Sequence, residues 1–162
     1  MKKNIILIDL NLTLLKSVCE SEKVNVELLI TDANEVELAN VKDLYGIKNI
    51  ITRALFYEYA EQEKSDIDYR TIEKFKTSQL DSERYQDRFS DDVNLKQYRY
   101  LNALSFWLNF FTKNNISAVV LEGVMHGANY DSLALDVAKV YGVSVYVIES
   151  HMMRYTKDEI VA

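Results

Sequence analysis

Three features of the sequence predict an α/β fold with an open, mostly parallel sheet. Short apolar runs alternate with helix-compatible stretches, in the order strand, helix, strand, helix, strand, two long helices, strand, helix, strand. The first run, residues 4–10, is apolar up to Asp9, which is typical of a strand buried on both faces. A chain of 162 residues also suits one hydrophobic core. With right-handed crossovers, this order predicts a Rossmann-like three-layer sandwich of about five strands.

The individual elements follow from apolar periodicity and from helix-ending residues. The predicted strands are residues 4–10, 26–30, 47–51, 116–121 and 143–148. Helices are predicted over residues 12–23, 35–45 and 130–141, the last two ending at Gly46 and Gly142. Residues 54–114 contain no glycine, proline or strand-like alternation, so we expect two helices there, separated near 90–92 and with Asp91 or Asp92 capping the second. Residues 1–150 are thus predicted to form the domain, and 151–162 to begin a linker.

Composition excludes several classes of function. A net charge of −6 argues against nucleic-acid binding. With four glycines and no proline, the chain lacks both the GxGxxG and the Walker A phosphate loops. The single cysteine, Cys19, cannot form an internal disulfide, and no apolar run reaches the roughly 20 residues of a membrane helix. We therefore expect a cytoplasmic protein without a membrane span, at most peripheral to the inner face of the membrane.

Candidate site residues are sought where strands end, because open parallel sheets bind ligands beyond the carboxyl ends of their strands. Asp9 follows the first predicted strand and Glu149 the last. The densest polar group follows the fourth strand and comprises Glu122, Gly123, His126, Gly127, Asn129 and Asp131. Its two glycines permit close backbone approach or unusual dihedral angles. This composition is typical of a ligand-binding loop.

Two of these residues carry alternatives. His126 is suited to general acid or base chemistry or to anion binding, with a nearby carboxylate setting its charge; alternatively, it is a loop histidine bonded to local backbone. Asp131 is either catalytic or a charge at the start of the next helix, where an acid interacts favourably with the helix dipole.

Three segments in the last third of the chain carry a resemblance to a known family. They are FFTKNNISAVVLE at residues 110–122, HGANYD at 126–131, and Val-Ala-Lys followed by Gly-Val within 137–143. In these segments the chain resembles bacterial capsular and surface polysaccharide biosynthesis proteins. In that family a strand leads into a histidine-containing loop and then a helix ending in Ala-Lys. Met125 stands where the family loop often has a proline.

That resemblance implies a sugar transferase of the GT-B type, built from two facing Rossmann-like domains. This chain would be the N-terminal, acceptor-side half, with a carbohydrate acceptor and a C-terminal donor-binding domain as partners. No cofactor is implied in this domain; a nucleotide sugar would be the donor substrate of the full-length protein. His126 would be the main functional residue, with Glu122 and Asp131 as neighbours, Gly123, Gly127, Asn129, Asp9 and Glu149 contacting substrate, and no metal. Alone, such a half should turn over little.

The first predicted strand and the residues after it, IILIDLNLTL at 5–14, carry a second resemblance. This segment is similar to the first motif of haloacid-dehalogenase-type phosphatases, in which Asp9 would be the nucleophile. Asn11 replaces the second acid of that motif, and the strand ends offer Glu122 and Glu149 but no adjacent acidic pair for magnesium. Alternatively, Asp9 and Asn11 only cap or turn the chain after a buried strand.

Three further alternatives stay open. The chain is either part of an enzyme or a non-catalytic module that binds glycan or a partner, and a homo-oligomer is compatible with both. Arg84 and Arg88, four residues apart among acids, favour a solvated helix face over a phosphate site. The 11 tyrosines favour interfaces over sugar stacking.

Overall fold

Five parallel strands form a single sheet in the order β3-β2-β1-β4-β5 in this computed structural model, which describes residues 2–32, 35–123 and 128–148. The strands are β1 Lys3–Ile8, β2 Val24–Thr31, β3 Asn49–Thr52, β4 Ile116–Glu122 and β5 Ser144–Ile148. All four strand pairs are parallel. The predicted Rossmann-like α/β fold is therefore confirmed, and each predicted strand is present within a few residues of its expected bounds.

The helices connect these strands on both faces of the sheet. They are α1 Leu12–Cys19, α2 Glu35–Tyr45, α3 Phe56–Gln62, α4 Tyr69–Lys74, α5 Lys76–Gln86, α6 Val93–Asn114 and α7 Ser132–Val140, with a short 3-10 turn at Arg53–Leu55. Asp92 caps α6 by accepting from the backbone N–H of Leu95, which decides between the two predicted caps. Gly46 and Gly142 both take positive φ after helix ends, as predicted.

The prediction of one helix before residue 90 is wrong, because that stretch forms a 3-10 turn and three short helices. The first break is fixed by Asp68, whose side chain accepts from the backbone N–H of Thr71 and so starts α4. Ser105 on α6 bonds both backbone groups of Ser65 and holds the connection between α3 and α4 against the long helix. These tertiary bonds end α3 although its sequence contains no glycine or proline.

The alternation of side chains along the strands supplies two separate cores. Ile6 and Ile8 point to the face covered by α3, α6 and α7, where Phe56, Trp107 and Leu133 are buried. The opposite face carries a smaller cluster of buried residues beneath α1 and α2: Ile5, Leu7, Leu10, Leu15, Leu29, Val41, Ile47 and Ala118. The sheet is thus the middle layer of three.

The path of the chain reverses direction between β1 and β4. The region between the carboxyl ends of these two strands is called the crevice below. From β1 the chain moves outward to β2 and β3, then crosses back through α3–α6 to β4 on the other side of β1. Successive connections thus leave β1 and β4 in opposite directions, and open sheets of this kind bind ligands at that point. Among the described residues, no helix is long and apolar enough to cross a membrane.

Candidate functional site

An ion pair between Asp9 and Arg53 lies at the carboxyl edge of the sheet. Asp9 directly follows β1 and Arg53 directly follows β3, so parallel pairing through β2 brings both side chains to the same edge. The Arg53 Nε donates to Asp9 Oδ1 at 2.7 Å. The Asp9 side chain is only 8% exposed and that of Arg53 31% exposed, so this charge-assisted bond is partly shielded from water.

The backbone at Asp9 holds its carboxylate in place at a conformational cost. Its φ of 60° lies in the left-handed region, which aspartate tolerates better than most residues. The Asp9 backbone N–H still donates to the Ile30 carbonyl of β2 at 2.8 Å, so the turn begins while the chain is anchored to the sheet. Left-handed residues outside glycine concentrate at functional sites.

Burial raises the pKa of Asp9 above its ordinary value, because the charged carboxylate loses water there. The hydrogen bond and the charge of Arg53 act in the opposite direction, and the neighbouring carboxylates of Asp32 and Asp131 add to the rise. Asp9 is thus a desolvated carboxyl whose charge depends on one arginine. Such a group accepts hydrogen bonds strongly from a bound hydroxyl.

Arg53 is the centre of a wider cluster. Its NH1 group forms a second ion pair of 2.7 Å with Asp32, which follows β2, and its guanidinium lies 5.5 Å from the ring centroid of Tyr130. Burial raises the pKa of the Tyr130 hydroxyl, with the Asp131 charge adding to the rise, so that this group stays a neutral donor. Asp9, Asp32, Arg53 and Tyr130 are hereafter the edge cluster.

Asn11 and Glu122 bridge the crevice between β1 and β4. The Asn11 Nδ2 donates to Glu122 Oε1 at 2.8 Å, and the Asn11 backbone N–H donates to the other carboxylate oxygen. The Asn11 side-chain oxygen also accepts from the Leu14 N–H and caps α1. The structural alternative for Asn11, a cap after a buried strand, is confirmed, and Glu122 is fixed at the predicted strand end.

A buried network supports the segment that carries Asn129 and Tyr130. The Trp107 Nε1 of α6 donates to the Asn129 carbonyl at 2.8 Å. The Asn129 side chain accepts from the Ser82 hydroxyl at 2.6 Å and donates to the Tyr57 hydroxyl at 3.1 Å. With 1% exposure, Asn129 acts here by positioning this segment, and its predicted substrate contact stays a prediction.

The predictions for Gly123, after β4, and for Asp131, before α7, have different outcomes. Gly123 has a φ of 92°, which confirms the expected unusual dihedral angle after β4. Asp131 is fully buried and its side chain accepts from the Ser132 N–H as the cap of α7, which confirms the structural alternative for this residue. A catalytic role for Asp131 is untested. His126, Gly127, Glu149 and the predicted linker 151–162 lie outside the described residues.

Three residues of the edge cluster were not chosen as site residues from the sequence. Asp32 and Arg53 do lie among the residues that directly follow predicted strands, where chemistry was sought, but neither belongs to a dense polar group. Tyr130 was expected only as the start of a helix. Arg84, at 79% side-chain exposure, confirms the predicted solvated face of α5.

The edge cluster offers three kinds of interaction within one site. Carboxylate oxygens accept hydrogen bonds, the guanidinium donates them, and the Tyr130 ring provides an apolar face with a polar tip. No group of three or more His, Cys, Asp and Glu side chains arranged for a metal ion occurs in residues 2–32, 35–123 and 128–148.

Comparison of the chain with family models, with curated proteins and with solved structures finds no match. Among the described residues, the edge cluster and the residues around it combine burial and charge at the carboxyl edge of the sheet.

Proposed function

We propose that this chain is the acceptor-binding domain of a sugar transferase that builds surface polysaccharide. The observation that carries the proposal is the edge cluster, in which the desolvated pair Asp9–Arg53 lies beside the ring of Tyr130. A sugar ring presents closely spaced hydroxyls together with apolar C–H faces. Carboxylate, guanidinium and aromatic groups together match that chemistry.

The position of the cluster supports binding of an acceptor that extends across the crevice. Asp9 follows β1, and Glu122 ends β4 on the other side of the crevice. Neither strand end carries a glycine-rich phosphate loop. A nucleotide donor would then be bound mainly by a second domain, as the resemblance to polysaccharide biosynthesis proteins implies.

The chemical step needs a base that takes the proton of the acceptor hydroxyl as its oxygen attacks the anomeric carbon of the donor. The bond from that carbon to the phosphate oxygen breaks in the same step, and the nucleotide leaves with the electron pair. Glu122 already accepts two hydrogen bonds from Asn11, and Asp131 caps α7 from a buried position. Both carboxylates therefore serve best as positioning groups. His126, three residues after Gly123 in sequence, is the proposed base.

The proposal is tested by mass-spectrometric detection of sugar transfer. The full-length protein is incubated with a panel of nucleotide sugars and capsule fragments, alongside His126→Ala and His151→Ala, which replaces the other histidine. Transfer that is lost only in His126→Ala supports the proposal. Transfer that persists in His126→Ala contradicts the proposed base, and absence of transfer from every donor contradicts the transferase function.

A non-catalytic glycan-binding module is the second candidate. It is favoured by the hydrogen bonds that two predicted catalytic carboxylates already make. Glu122 accepts from Asn11 and Asp131 caps α7, so both have structural roles. This candidate predicts glycan binding without transfer. Release of inorganic phosphate from phosphate esters, abolished by Asp9→Asn, would instead support the phosphatase resemblance.

A further inference from the structure

Arginine–tyrosine pairs recur beside the edge cluster. Three arginines each place their guanidinium over a tyrosine ring, at centroid distances of 5.5, 5.0 and 5.8 Å: Arg53 over Tyr130, Arg99 over Tyr57 and Arg88 over Tyr85. Such cation–π contacts hold a guanidinium in a fixed orientation.

Two of these pairs are connected through the buried ring of Phe56. Tyr57 and Tyr130 both contact that ring, at centroid distances of 5.6 and 6.4 Å. The Asn129 side chain, adjacent to Tyr130 in sequence, bonds the Tyr57 hydroxyl at 3.1 Å. The pair of Arg99 and Tyr57 therefore adjoins the edge cluster.

Arg99, unlike Arg53, has no counter-charge among residues 2–32, 35–123 and 128–148. Arg53 is neutralised by Asp9 and Asp32. Arg99 is half-buried on α6, yet it makes no ion pair and no hydrogen bond with the residues that the structure describes. A partly desolvated guanidinium without an anion is unfavourable unless a ligand supplies one.

We propose that the acceptor is an anionic sugar, whose carboxylate or phosphate pairs with Arg99 while its ring contacts the edge cluster. This inference rests on the proposed function and narrows its substrate class. A guanidinium held against Tyr57 presents a planar pair of N–H donors that matches two oxygens of such an anion. The carboxylates of Asp9 and Asp32 are already paired with Arg53, so they do not compete for Arg99.

The test is a binding titration of the full chain, followed by NMR, with glucuronic acid, glucose 6-phosphate, glucose and inorganic phosphate as probes. Arg99→Gln is compared with Arg84→Gln, which removes the same charge from an exposed position on α5. We expect the anionic sugars to bind about 10-fold more tightly than glucose, as a charge-assisted pair provides. That advantage should disappear in Arg99→Gln and persist in Arg84→Gln.

Other outcomes separate this inference from the proposed function. Equal binding of glucose and the anionic sugars, or an anionic advantage that Arg99→Gln retains, overturns the inference alone. Binding of no sugar contradicts both, whereas Arg99-dependent binding of phosphate without any sugar supports the anion site and contradicts the glycan function. If Arg99→Gln fails to fold, Arg99→Lys preserves the charge without the planar fork, and it should lower the anionic advantage several-fold.

Discussion

At the scale of single residues, the molecule concentrates unfavourable features around Asp9. Its carboxylate is desolvated, its φ is positive, and one arginine offsets its charge. A carboxyl in this environment stabilises the fold less than an apolar residue would, because burial of charge costs more than pairing returns. The arrangement is therefore best understood as a binding feature maintained at the expense of stability.

The Asp9–Arg53 pair predicts a pH-dependent loss of stability in Arg53→Met. The pKa of Asp9 is already raised, and removal of Arg53 raises it further. The variant therefore loses stability as pH rises, because Asp9 ionises more easily in the unfolded chain than in the folded one. Below pH 3.8, the ordinary pKa, the carboxyl is protonated in both folded and unfolded chains and the variant should lose little. At neutral pH the loss should be about 2 kcal/mol, because Arg53 is partly exposed.

Urea unfolding from pH 3 to pH 8 measures this difference. The control is the double variant Asp9→Asn/Arg53→Met, whose stability relative to Asp9→Asn should change much less with pH, because only the ion pair of Arg53 with the exposed Asp32 is then lost. A loss in Arg53→Met that is equal at pH 3 and pH 7 would contradict the proposed burial of the Asp9 charge.

The bridge between Asn11 and Glu122 predicts graded effects of substitution. Asn11→Ala removes the α1 cap and one bond to Glu122, so the free energy of unfolding should fall by about 1 kcal/mol or more. Asn11→Ser restores a capping oxygen but not the bond to Glu122, so it should recover only part of the loss. Chemical denaturation of the three proteins checks the order. If Asn11→Ser is as stable as the wild type, the bridge to Glu122 contributes nothing, and if the two variants are equally stable, the cap contributes nothing.

Residue-scale prediction from the sequence succeeded where a residue directly follows a strand and has a local role. Asp9, Asn11 and Glu122 were expected at the carboxyl edge and are found there. The ion pair of Arg53 with Asp9 was not predicted, because the two residues are 44 apart in sequence. They come together only because β2 lies between β1 and β3 in the sheet. Pairings of that range follow from topology and not from local spacing.

At the scale of elements, α6 holds the segment that carries Asn129 and Tyr130, called the site segment below. This 22-residue helix buries Trp107 and Phe106 against the sheet and offers the Trp107 N–H to the Asn129 carbonyl. The prediction of a long apolar helix here succeeded because its periodicity is strong. The three helices before it were predicted as one because no glycine or proline marks their ends in the sequence. The break between α3 and α4 is instead fixed by the cap at Asp68 and by the tertiary bond of Ser105 to Ser65.

Trp107→Phe should uncouple the site segment from α6. The change leaves the Asn129 carbonyl without this donor, so we expect a loss of about 1–3 kcal/mol in unfolding free energy together with weaker glycan binding. Phe106→Leu is the matched control, because it reduces aromatic volume in the same core and Phe106 has no hydrogen bond to residues 128–131. Circular dichroism measures the stability, and NMR titration the binding.

A comparable fall in affinity in Phe106→Leu would contradict the specific role of Trp107. In that case the site would respond to general loss of core packing. Unchanged affinity in Trp107→Phe would likewise show that α6 does not position Asn129 and Tyr130 for binding.

At the scale of the whole molecule, the sheet order places β1 at the centre of both stability and function. β1 pairs with β2 on one side and β4 on the other, and its side chains contribute to both cores. The open parallel sheet was predicted from alternating strands and helices with right-handed crossovers, whereas the order of its strands was not predicted. The crevice between β1 and β4 is a direct consequence of that topology.

Hydrogen exchange should reflect the same hierarchy. Amides of β1 should exchange most slowly, because opening them requires loss of both neighbouring strands, whereas amides of the edge strands β3 and β5 should exchange faster. Native-state exchange followed by NMR checks this order. Faster exchange in β1 than in β5 would contradict the central position of β1.

The central claim is that the carboxyl edge of the sheet binds carbohydrate, and the most direct measurement is an NMR map of the surface that a capsule oligosaccharide perturbs. We predict that the perturbed amides include Asp9, Arg53, Gly123 and Tyr130 at that edge. The opposite edge has a cavity of about 280 Å³, lined by residues that include Cys19, Tyr45 and Lys48. Perturbation confined to that cavity, or absent from the whole chain, would contradict the account.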